Sequence, residues 1–130
     1  MFEQDYIMRQ IKEITAVIAK VVFGQKVETS FYMLQEVERQ KAYALIEQMR
    51  NGEPLEAVRE LDRLSENNTK ENLMIGLEFY TQLSNMDDDF FTANGYTTVM
   101  ARKDFRRFTK KFGVEDMTDL YFGDGDDDDE

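Results

Sequence analysis

The side chains with which this chain could do chemistry are carboxylates, amines, guanidinium groups and hydroxyls, because it contains no histidine and no cysteine. Histidine alone has an ordinary pKa between about 5 and 8, and the cysteine thiolate is a strong nucleophile and a soft metal ligand. Their absence excludes Ser-His-Asp and Cys-His catalysis, zinc fingers and disulfides. The sequence predicts no catalytic residues, no cofactor and no metal ligands, and it favours a protein that is not an enzyme.

The most regularly patterned charges form a basic stripe on a helix predicted over about Thr98–Phe112. The members of this basic stripe are Arg102, Lys103, Arg106, Arg107, Lys110 and Lys111. Phe105, Phe108 and Phe112 recur on the opposite side of the same helix. A basic amphipathic helix could bind phosphate groups or an acidic membrane surface, or it could be a surface helix docked through its phenylalanines. We interpret the stripe as a candidate interaction surface, with the docked helix as the preferred alternative.

Acidic residues cluster at two places. Asp87, Asp88 and Asp89 could gather a hard cation such as Mg²⁺ or Ca²⁺, but capping of the helix that follows is the preferred interpretation. Six acids in Asp124–Glu130 account for more than half of the net charge of −11. We expect residues 123–130 to form a disordered acidic tail. The acidic balance disfavours nucleic acid as a partner, because phosphate backbones are repelled.

Helical periodicity dominates the elements that must position these side chains. In the first segment, isoleucine and valine recur at spacings of four, three, four and three, at Ile7, Ile11, Ile14, Ile18 and Val21. This spacing places them on one face of a helix that ends near Gly24. A candidate oligomer face consists of Ile14, Val17, Ile18, Val21 and Val22. Either another helix of the chain or a second copy must cover it, so a homodimer is one expectation.

The turn residues predict where the following helices begin and end. A second helix is expected from about Thr29 to Asn51, and Pro54 should open a third, since proline is tolerated in a first helical turn. The connection is short, so the two should form an antiparallel hairpin. Asn68 with Glu71 resembles a capping box for the next helix. Three methionines, Met33, Met49 and Met74, are expected to fill gaps in the core.

Together these patterns predict an all-α fold of five to seven helices in a single domain over residues 1–122. The architecture would be an antiparallel helical bundle or an array of helix hairpins. No segment alternates convincingly in the way of a β-strand.

The sequence carries two resemblances. Asn51–Val58 resembles the turn and second helix of a tetratricopeptide hairpin. Asp5–Ile11, the helix end at Phe23-Gly24, Phe79-Tyr80 and Asp87–Phe90 are similar to a family of small uncharacterised proteins of low-GC Gram-positive bacteria. The second resemblance covers much of the chain but not the acidic tail. It implies an all-helical cytoplasmic protein with tetratricopeptide-like packing, and it implies no activity.

The function is therefore unknown from the sequence, and a helical scaffold or protein-interaction module is the preferred class. Such a module would bind a protein or peptide in a groove beside residues 42–64, lined by polar and aromatic side chains. One alternative is a carboxylate-based metal-dependent enzyme with acids converging on a pocket. The other is a phosphate- or membrane-surface binder acting through the basic stripe.

The predicted location of the protein rests on the lack of a membrane-spanning segment and of a secretory signal in the sequence. The most apolar run, Ile14–Phe23, is interrupted by Lys20 and is shorter than the roughly 20 residues that cross a bilayer. Glu3 and Asp5 stand where a secretory signal carries basic residues. We therefore expect no transmembrane segment and a cytoplasmic location.

Overall fold

The structure, a computed structural model, describes residues 2–122 and contains eight helices and no strand in that range. The helices are α1 (Phe2–Phe23), α2 (Val27–Tyr32), α3 (Glu36–Arg50), α4 (Pro54–Leu64), α5 (Lys70–Ser84), α6 (Asp88–Asn94), α7 (Thr98–Lys111) and α8 (Glu115–Phe122). The all-α prediction is confirmed, with one helix more than the five to seven expected. The predicted disordered tail, residues 123–130, lies outside the described residues.

The additional helix arises because the segment predicted as one helix from Thr29 to Asn51 is broken after Tyr32. Gln35 has extended backbone and precedes α3, so the chain changes direction between the two helices. Arg39 on α3 donates through Nη1 to the carbonyl oxygens of Tyr32 and Leu34. It thereby satisfies the carbonyl group of Tyr32, which the end of α2 leaves without a helical partner, and that of Leu34 in the break. No glycine or proline marks this break, so the sequence gives no local signal for it.

Helix α5 is the centre of the fold, and it packs against α1, α2 and α3. Most of its side chains are buried, on all sides of the helix rather than along one stripe, including Leu73, Ile75, Leu77, Phe79 and Leu83. A helix that is apolar all round must be enclosed by other helices to be stable in water. The remaining helices are therefore arranged as a cover around α5.

Helix α7 reaches α5 through its aromatic face, at a glycine. A Cβ atom placed on Gly76 would lie 2.0 Å from Cζ of Phe108, so only glycine allows this ring to pack against the α5 backbone. Tyr80 extends the cluster, with its ring centroid 5.0 Å from that of Phe105 and 5.5 Å from that of Phe108. The predicted docking of this helix through its phenylalanines is confirmed, because Phe105 and Phe108 are fully buried and the half-buried Phe112 packs against the core.

The predicted helix hairpin is present as α3 and α4, which pack against each other across a three-residue connection. Pro54 is the first residue of α4, as expected from its tolerance in a first turn. Gly52 in the connection has φ +102°, in the region that favours glycine. Ala57, Val58 and Leu61 are buried, so the apolar stripe of α4 faces the core.

The joint between α4 and α5 differs from the sequence prediction by one residue. The N-cap of α5 is Thr69, whose side-chain oxygen accepts from the backbone N–H of Asn72, and the assignment of the cap to Asn68 is wrong. Asn72 is buried, and its Nδ2 donates to the carbonyl oxygens of Leu64, at 3.1 Å, and Asn67, at 2.7 Å. One side chain therefore satisfies the end of α4 beside the first turn of α5.

The remaining cover is provided by α1, which contacts α2, α5, α7 and α8. Its predicted stripe is confirmed from Ile7 to Ile18, since Ile11, Ile14 and Ile18 are fully buried. Val21 continues the spacing but is 64 % exposed, so the rest of the described chain does not cover it. The described chain covers this stripe only as far as Ile18.

Candidate interaction site

A groove of about 500 Å³ runs between α1, the start of α2 and α5, and three lysines line it. We call it the lysine groove, and its lining residues are Lys12, Thr15, Ala16, Val17, Lys20, Lys26, Val27, Glu28 and Thr81. Lys12, Ala16 and Lys20 are spaced by four residues on α1, so they lie on one face of that helix. Lys26 comes from the residue that precedes α2. The groove therefore combines an apolar floor with a cationic rim.

Hydrogen bonds made by two threonines and a lysine hold the floor of the lysine groove in place. Thr15 Oγ1 donates to the carbonyl oxygen of Lys12 at 2.7 Å, and Thr81 Oγ1 lies 3.1 Å from Thr15 Oγ1 and 2.8 Å from the carbonyl oxygen of Leu77. Lys12 Nζ donates to Oδ1 of Asn85 at 3.2 Å. The Thr15–Thr81 and Lys12–Asn85 contacts join α1 to α5 and its C-cap, so the two walls of the groove are linked.

A second pocket of about 330 Å³ continues the lysine groove and shares Val27, Glu28 and Thr81 with it. We call it the acid pocket, and its other lining residues are Phe31, Tyr32, Tyr43, Glu78 and Gln82. Gln82 Nε2 donates to Oε2 of Glu78 at 2.9 Å. Burial raises the pKa of Glu78 above its ordinary value, and the charge of Glu28 adds to this, whereas the Gln82 hydrogen bond opposes it. The surface thus changes from cationic to anionic along one continuous depression.

Apart from Val21, large apolar side chains are exposed on α1 at Tyr6, on α3 at Tyr43, on α8 at Leu120, and in a group where α2 leads into α3. Tyr32, Met33 and Val37 lie where α2 leads into α3, and Met33 is 70 % exposed. The expectation that Met33 fills a core gap is therefore wrong, whereas Met49 and Met74 are fully buried as predicted. Met33 is exposed because it follows the last residue of α2, in the break that the sequence did not indicate.

The structure places all six residues of the basic stripe on α7, where several of them hold neighbouring elements. Arg106 Nη2 forms a salt bridge with Oδ1 of Asp119 on α8 at 3.0 Å. The guanidinium carbons of Arg102 and Arg106 lie 5.8 and 5.7 Å from the centroid of the Phe122 ring, in the range of cation–π contacts. Lys103 is half-buried. This part of the stripe therefore attaches α8 to α7.

The other half of the stripe attaches α4. Arg107 Nη2 lies 2.7 Å from Oδ2 of Asp62 and 2.9 Å from Oδ1 of Asp104, and Lys111 Nζ donates to the carbonyl oxygen of Asp62 at 3.0 Å. Partial burial lowers the pKa of Arg107, but the hydrogen bonds and charges of the two aspartates outweigh it and raise this pKa. Lys110 is exposed. The pattern that suggested a binding surface therefore serves in large part as a set of contacts within the chain.

The candidate oligomer face is divided by the fold. Ile14 and Ile18 are fully buried inside the chain, Val17 and Val22 are half-buried, and Val21 is exposed. A second copy could therefore reach only the three valines of this face. Val17 also lines the lysine groove, so the accessible part of the predicted face lies beside that groove.

The three consecutive aspartates act at the start of α6. Asp87 is the N-cap, and its side chain accepts from the backbone N–H of Phe90 at 3.0 Å, which confirms the capping interpretation. Asp88 and Asp89 occupy the first turn, where negative charge is favourable. Within residues 2–122, no group of three or more acidic side chains is arranged to hold a metal ion.

The groove predicted beside residues 42–64 exists, with a volume of about 350 Å³, but its lining differs from the expectation. The lining residues are Lys41, Ala44, Leu45, Gln48, Glu60 and Leu64, none of which is aromatic. Tyr43 faces the acid pocket instead, because it lies on another side of α3. The prediction of an aromatic lining is therefore wrong for this groove.

Sequence reasoning missed the lysine groove. The spacing of Lys12, Ala16 and Lys20 is a signal that could have indicated one wall, because these residues share a helix face. The position of Lys26 and Thr81 against that wall depends on how α2 and α5 pack, and no local pattern reports it. The Gly76–Phe108 contact was missed for the same reason.

Comparison with known proteins gives a family whose function is unknown. A family model, described as a family of unknown function (DUF6483), matches residues 1–113. No curated protein and no solved structure matches the chain. None of the helices within residues 2–122 combines the length and apolar character needed to span a membrane.

Proposed function

We propose that this chain, which belongs to the DUF6483 family of unknown function, is a helical protein-interaction module. Its binding site is the lysine groove, and its ligand is an acidic amphipathic segment of a partner protein. The observation that carries the proposal is the combination of three lysines with an apolar floor between α1, α2 and α5. Helices that dock into grooves bind through apolar anchors, and flanking charges select the partner.

Charge complementarity decides the chemistry of the ligand. Lys12, Lys20 and Lys26 outnumber the one acid of the groove, Glu28, and form a local cationic site on a chain whose net charge is −11. A basic partner would be attracted to the rest of the surface but repelled at the groove, whereas an acidic segment meets opposite charge at the groove itself. The alanine and valines of the floor offer apolar contact to such a segment, which favours an amphipathic ligand over a simple anion.

A designed peptide tests the proposal directly. The probe is a fluorescent acidic helical peptide with leucines along one face and glutamates on both sides, and binding is measured by anisotropy. We expect Lys20→Glu/Lys26→Glu to weaken binding about tenfold or more, because the rim changes sign. Lys70→Glu/Lys110→Glu carries the same charge change at exposed positions outside the groove and is the matched control. Equal affinities for the two double variants would contradict the proposal.

The basic stripe supports a weaker second candidate, binding to phosphate groups or an acidic membrane surface. Arg106 and Arg107 pair with aspartates on α8 and α4, so reversing their charges would loosen the fold as well as remove a binding surface. Lys110→Glu is the cleaner variant, since Lys110 is exposed. Unchanged binding to anionic lipid vesicles in this variant would argue against the second candidate. For the third candidate, a carboxylate-based metal-dependent enzyme, no supporting group of acidic side chains is found within residues 2–122.

Other expectations remain part of the proposal. The α3–α4 hairpin supports a tetratricopeptide-like interpretation through its short connection and its proline at the start of α4. A cytoplasmic location, an origin in low-GC Gram-positive bacteria and a single domain over residues 1–122 are proposed on the sequence features given above.

A further inference from the structure

The most exposed large apolar side chain among the described residues belongs to an acidic helix. Leu120 on α8 is 83 % exposed, although α8 itself packs against α1 and α7. Asp116 is exposed one turn before Leu120, and the spacing of four places the two on one face. In the sequence, α8 is followed by Asp124–Glu130, which contains six acids. The chain therefore carries an apolar side chain flanked by negative charge.

We propose that the lysine groove of one copy binds α8 and the acidic C-terminal residues of a second copy. This inference rests on the proposed function and names its partner. Leu120 of the second copy would contact the apolar floor formed by Ala16, Val17 and Val27. Asp116 and the acids of Asp124–Glu130 would face the lysine rim. The occupant and the groove thus match in polarity as well as in charge.

The contact is heterologous, because the groove and α8 are different surfaces of the chain. Each copy that uses its groove still has α8 available, and each copy that uses α8 still has its groove. Such contacts close into rings where the rotation allows it, and otherwise continue as open chains. Net charges of −11 repel two copies at long range, but this repulsion is screened beyond about 8 Å at physiological ionic strength. Contacts between lysines and aspartates at the groove act at shorter distances.

Two variants separate the two sides of the contact. Leu120→Glu removes the exposed apolar side chain of α8 and leaves the groove unchanged. Lys20→Glu/Lys26→Glu reverses the charge of two lysines of the groove and leaves α8 unchanged. All three residues are exposed, so the fold should persist, and circular dichroism checks this. Sedimentation velocity of the full chain at about 0.15 M ionic strength should show association that rises with concentration. The association of each variant should be weaker than that of the unchanged chain by about tenfold or more. Leu120→Glu loses the burial of Leu120, and the lysine variant loses the attraction between the lysines and the acids of the second copy.

Mixing the variants gives the decisive result. Leu120→Glu still offers its groove, and the lysine variant still offers its α8, so an equimolar mixture should form a one-to-one complex and nothing larger. Val37→Glu, an equivalent change at an exposed apolar residue elsewhere, should associate like the unchanged chain. A mixture that stays monomeric, or an unchanged chain that is monomeric up to about 1 mM, would overturn the inference.

The designed acidic peptide separates this inference from the proposed function. If the peptide binds the groove but the full chain stays monomeric, the groove is an interaction site for another protein and the second-copy inference fails. If the peptide does not bind the groove and the full chain stays monomeric, the proposed function and the second-copy inference both fail. If the full chain is monomeric and deletion of residues 123–130 strengthens peptide binding, the groove is occupied by the chain's own C-terminal residues, which also overturns the inference.

Discussion

Two buried tyrosines of the same core differ in one hydrogen bond. The Tyr96 hydroxyl donates to Oδ2 of Asp104 at 2.6 Å. The Tyr80 hydroxyl is fully buried and has no hydrogen-bond partner among residues 2–122. Burial raises the pKa of both phenols well above the ordinary value, and the nearby charge of Asp104 adds to this. Both phenols therefore remain neutral under ordinary conditions, and the two hydroxyl groups differ in hydrogen bonding rather than in charge.

Removal of each hydroxyl should affect stability differently. Tyr96→Phe should lower the free energy of unfolding by about 1.5–3 kcal/mol, because a hydrogen bond to a carboxylate is lost. Tyr80→Phe should leave it unchanged or raise it by up to about 1 kcal/mol, because a buried unpaired hydroxyl is removed. Urea unfolding of the two variants tests this, and each serves as the control for the other. An equal decrease in the free energy of unfolding in both variants would contradict the assignment of a hydrogen bond to the Tyr96 hydroxyl and none to the Tyr80 hydroxyl.

Glu78 predicts a pH dependence of stability. Burial raises its pKa in the folded state above the ordinary 4.5, so the folded chain binds this proton more tightly than the unfolded chain. The contribution of Glu78 to stability is therefore fully present below pH 4.5 and is lost as the pH rises through the folded-state pKa. Glu78→Gln does not titrate, and its amide oxygen can still accept from Gln82. We expect the stability of the variant relative to the unchanged chain to rise between acid and neutral pH.

Urea unfolding at several pH values measures this difference, in which the other titrating groups cancel. Glu47→Gln, at an exposed position on α3, controls for the loss of one negative charge. A difference that stays constant with pH, or that moves in the opposite direction, would show that burial does not dominate at Glu78.

At the scale of helices, the fold depends on how closely α7 approaches α5 at Gly76. A helix interior normally gains about 1 kcal/mol when glycine is replaced by alanine. Here the new methyl group would overlap the Phe108 ring, so we expect Gly76→Ala to lose about 1–3 kcal/mol instead. Chemical denaturation measures this change in the free energy of unfolding. A loss instead of the usual gain would indicate the close contact between Gly76 and Phe108.

A double-mutant cycle identifies the cause of that loss. Phe108→Leu shortens the side chain that the added methyl group would meet, so Gly76→Ala should cost much less in this background. If the alanine substitution costs the same in both backgrounds, the overlap with Phe108 is not the reason.

Over the whole molecule, α8 completes the cover of α1 and α7. Phe122 and Thr118 are buried, and the salt bridge between Arg106 and Asp119 joins α8 to α7. The family model ends at Gly113, so the match does not include α8. Helix α8 is thus an addition to the matched region that nevertheless contributes to the core.

Deletion of residues 114–130 should lower the free energy of unfolding by at least about 2 kcal/mol, because the burial of Phe122 alone is worth about that amount. Deletion of residues 123–130 removes the acids but keeps α8, and it is the control for the change in net charge. Thermal and urea unfolding compare the two. Equal stability of both truncated chains would mean that α8 does not support the core.

Most helices of this fold and several of their ends could be predicted from the sequence, because helix formation and helix capping depend on neighbouring residues. The spacing of the isoleucines predicted α1, Pro54 predicted the start of α4, and the three aspartates at 87–89 predicted a cap at the start of α6. The break after Tyr32 was missed because Arg39 stabilises it through side-chain contacts that no local pattern reports. The cap at Thr69 was missed because two neighbouring residues are both good caps.

What each charged side chain does was decided only by the tertiary structure. The stripe on α7 could be recognised from spacing, but its pairing with Asp62 and Asp119 depends on which helices pack beside it. The lysine groove joins residues of α1 and α5 that are more than sixty positions apart in the chain. Periodicity determines which face of a helix is apolar, because it acts within a few residues. The neighbours that meet a charge are chosen by packing, which acts across the whole chain.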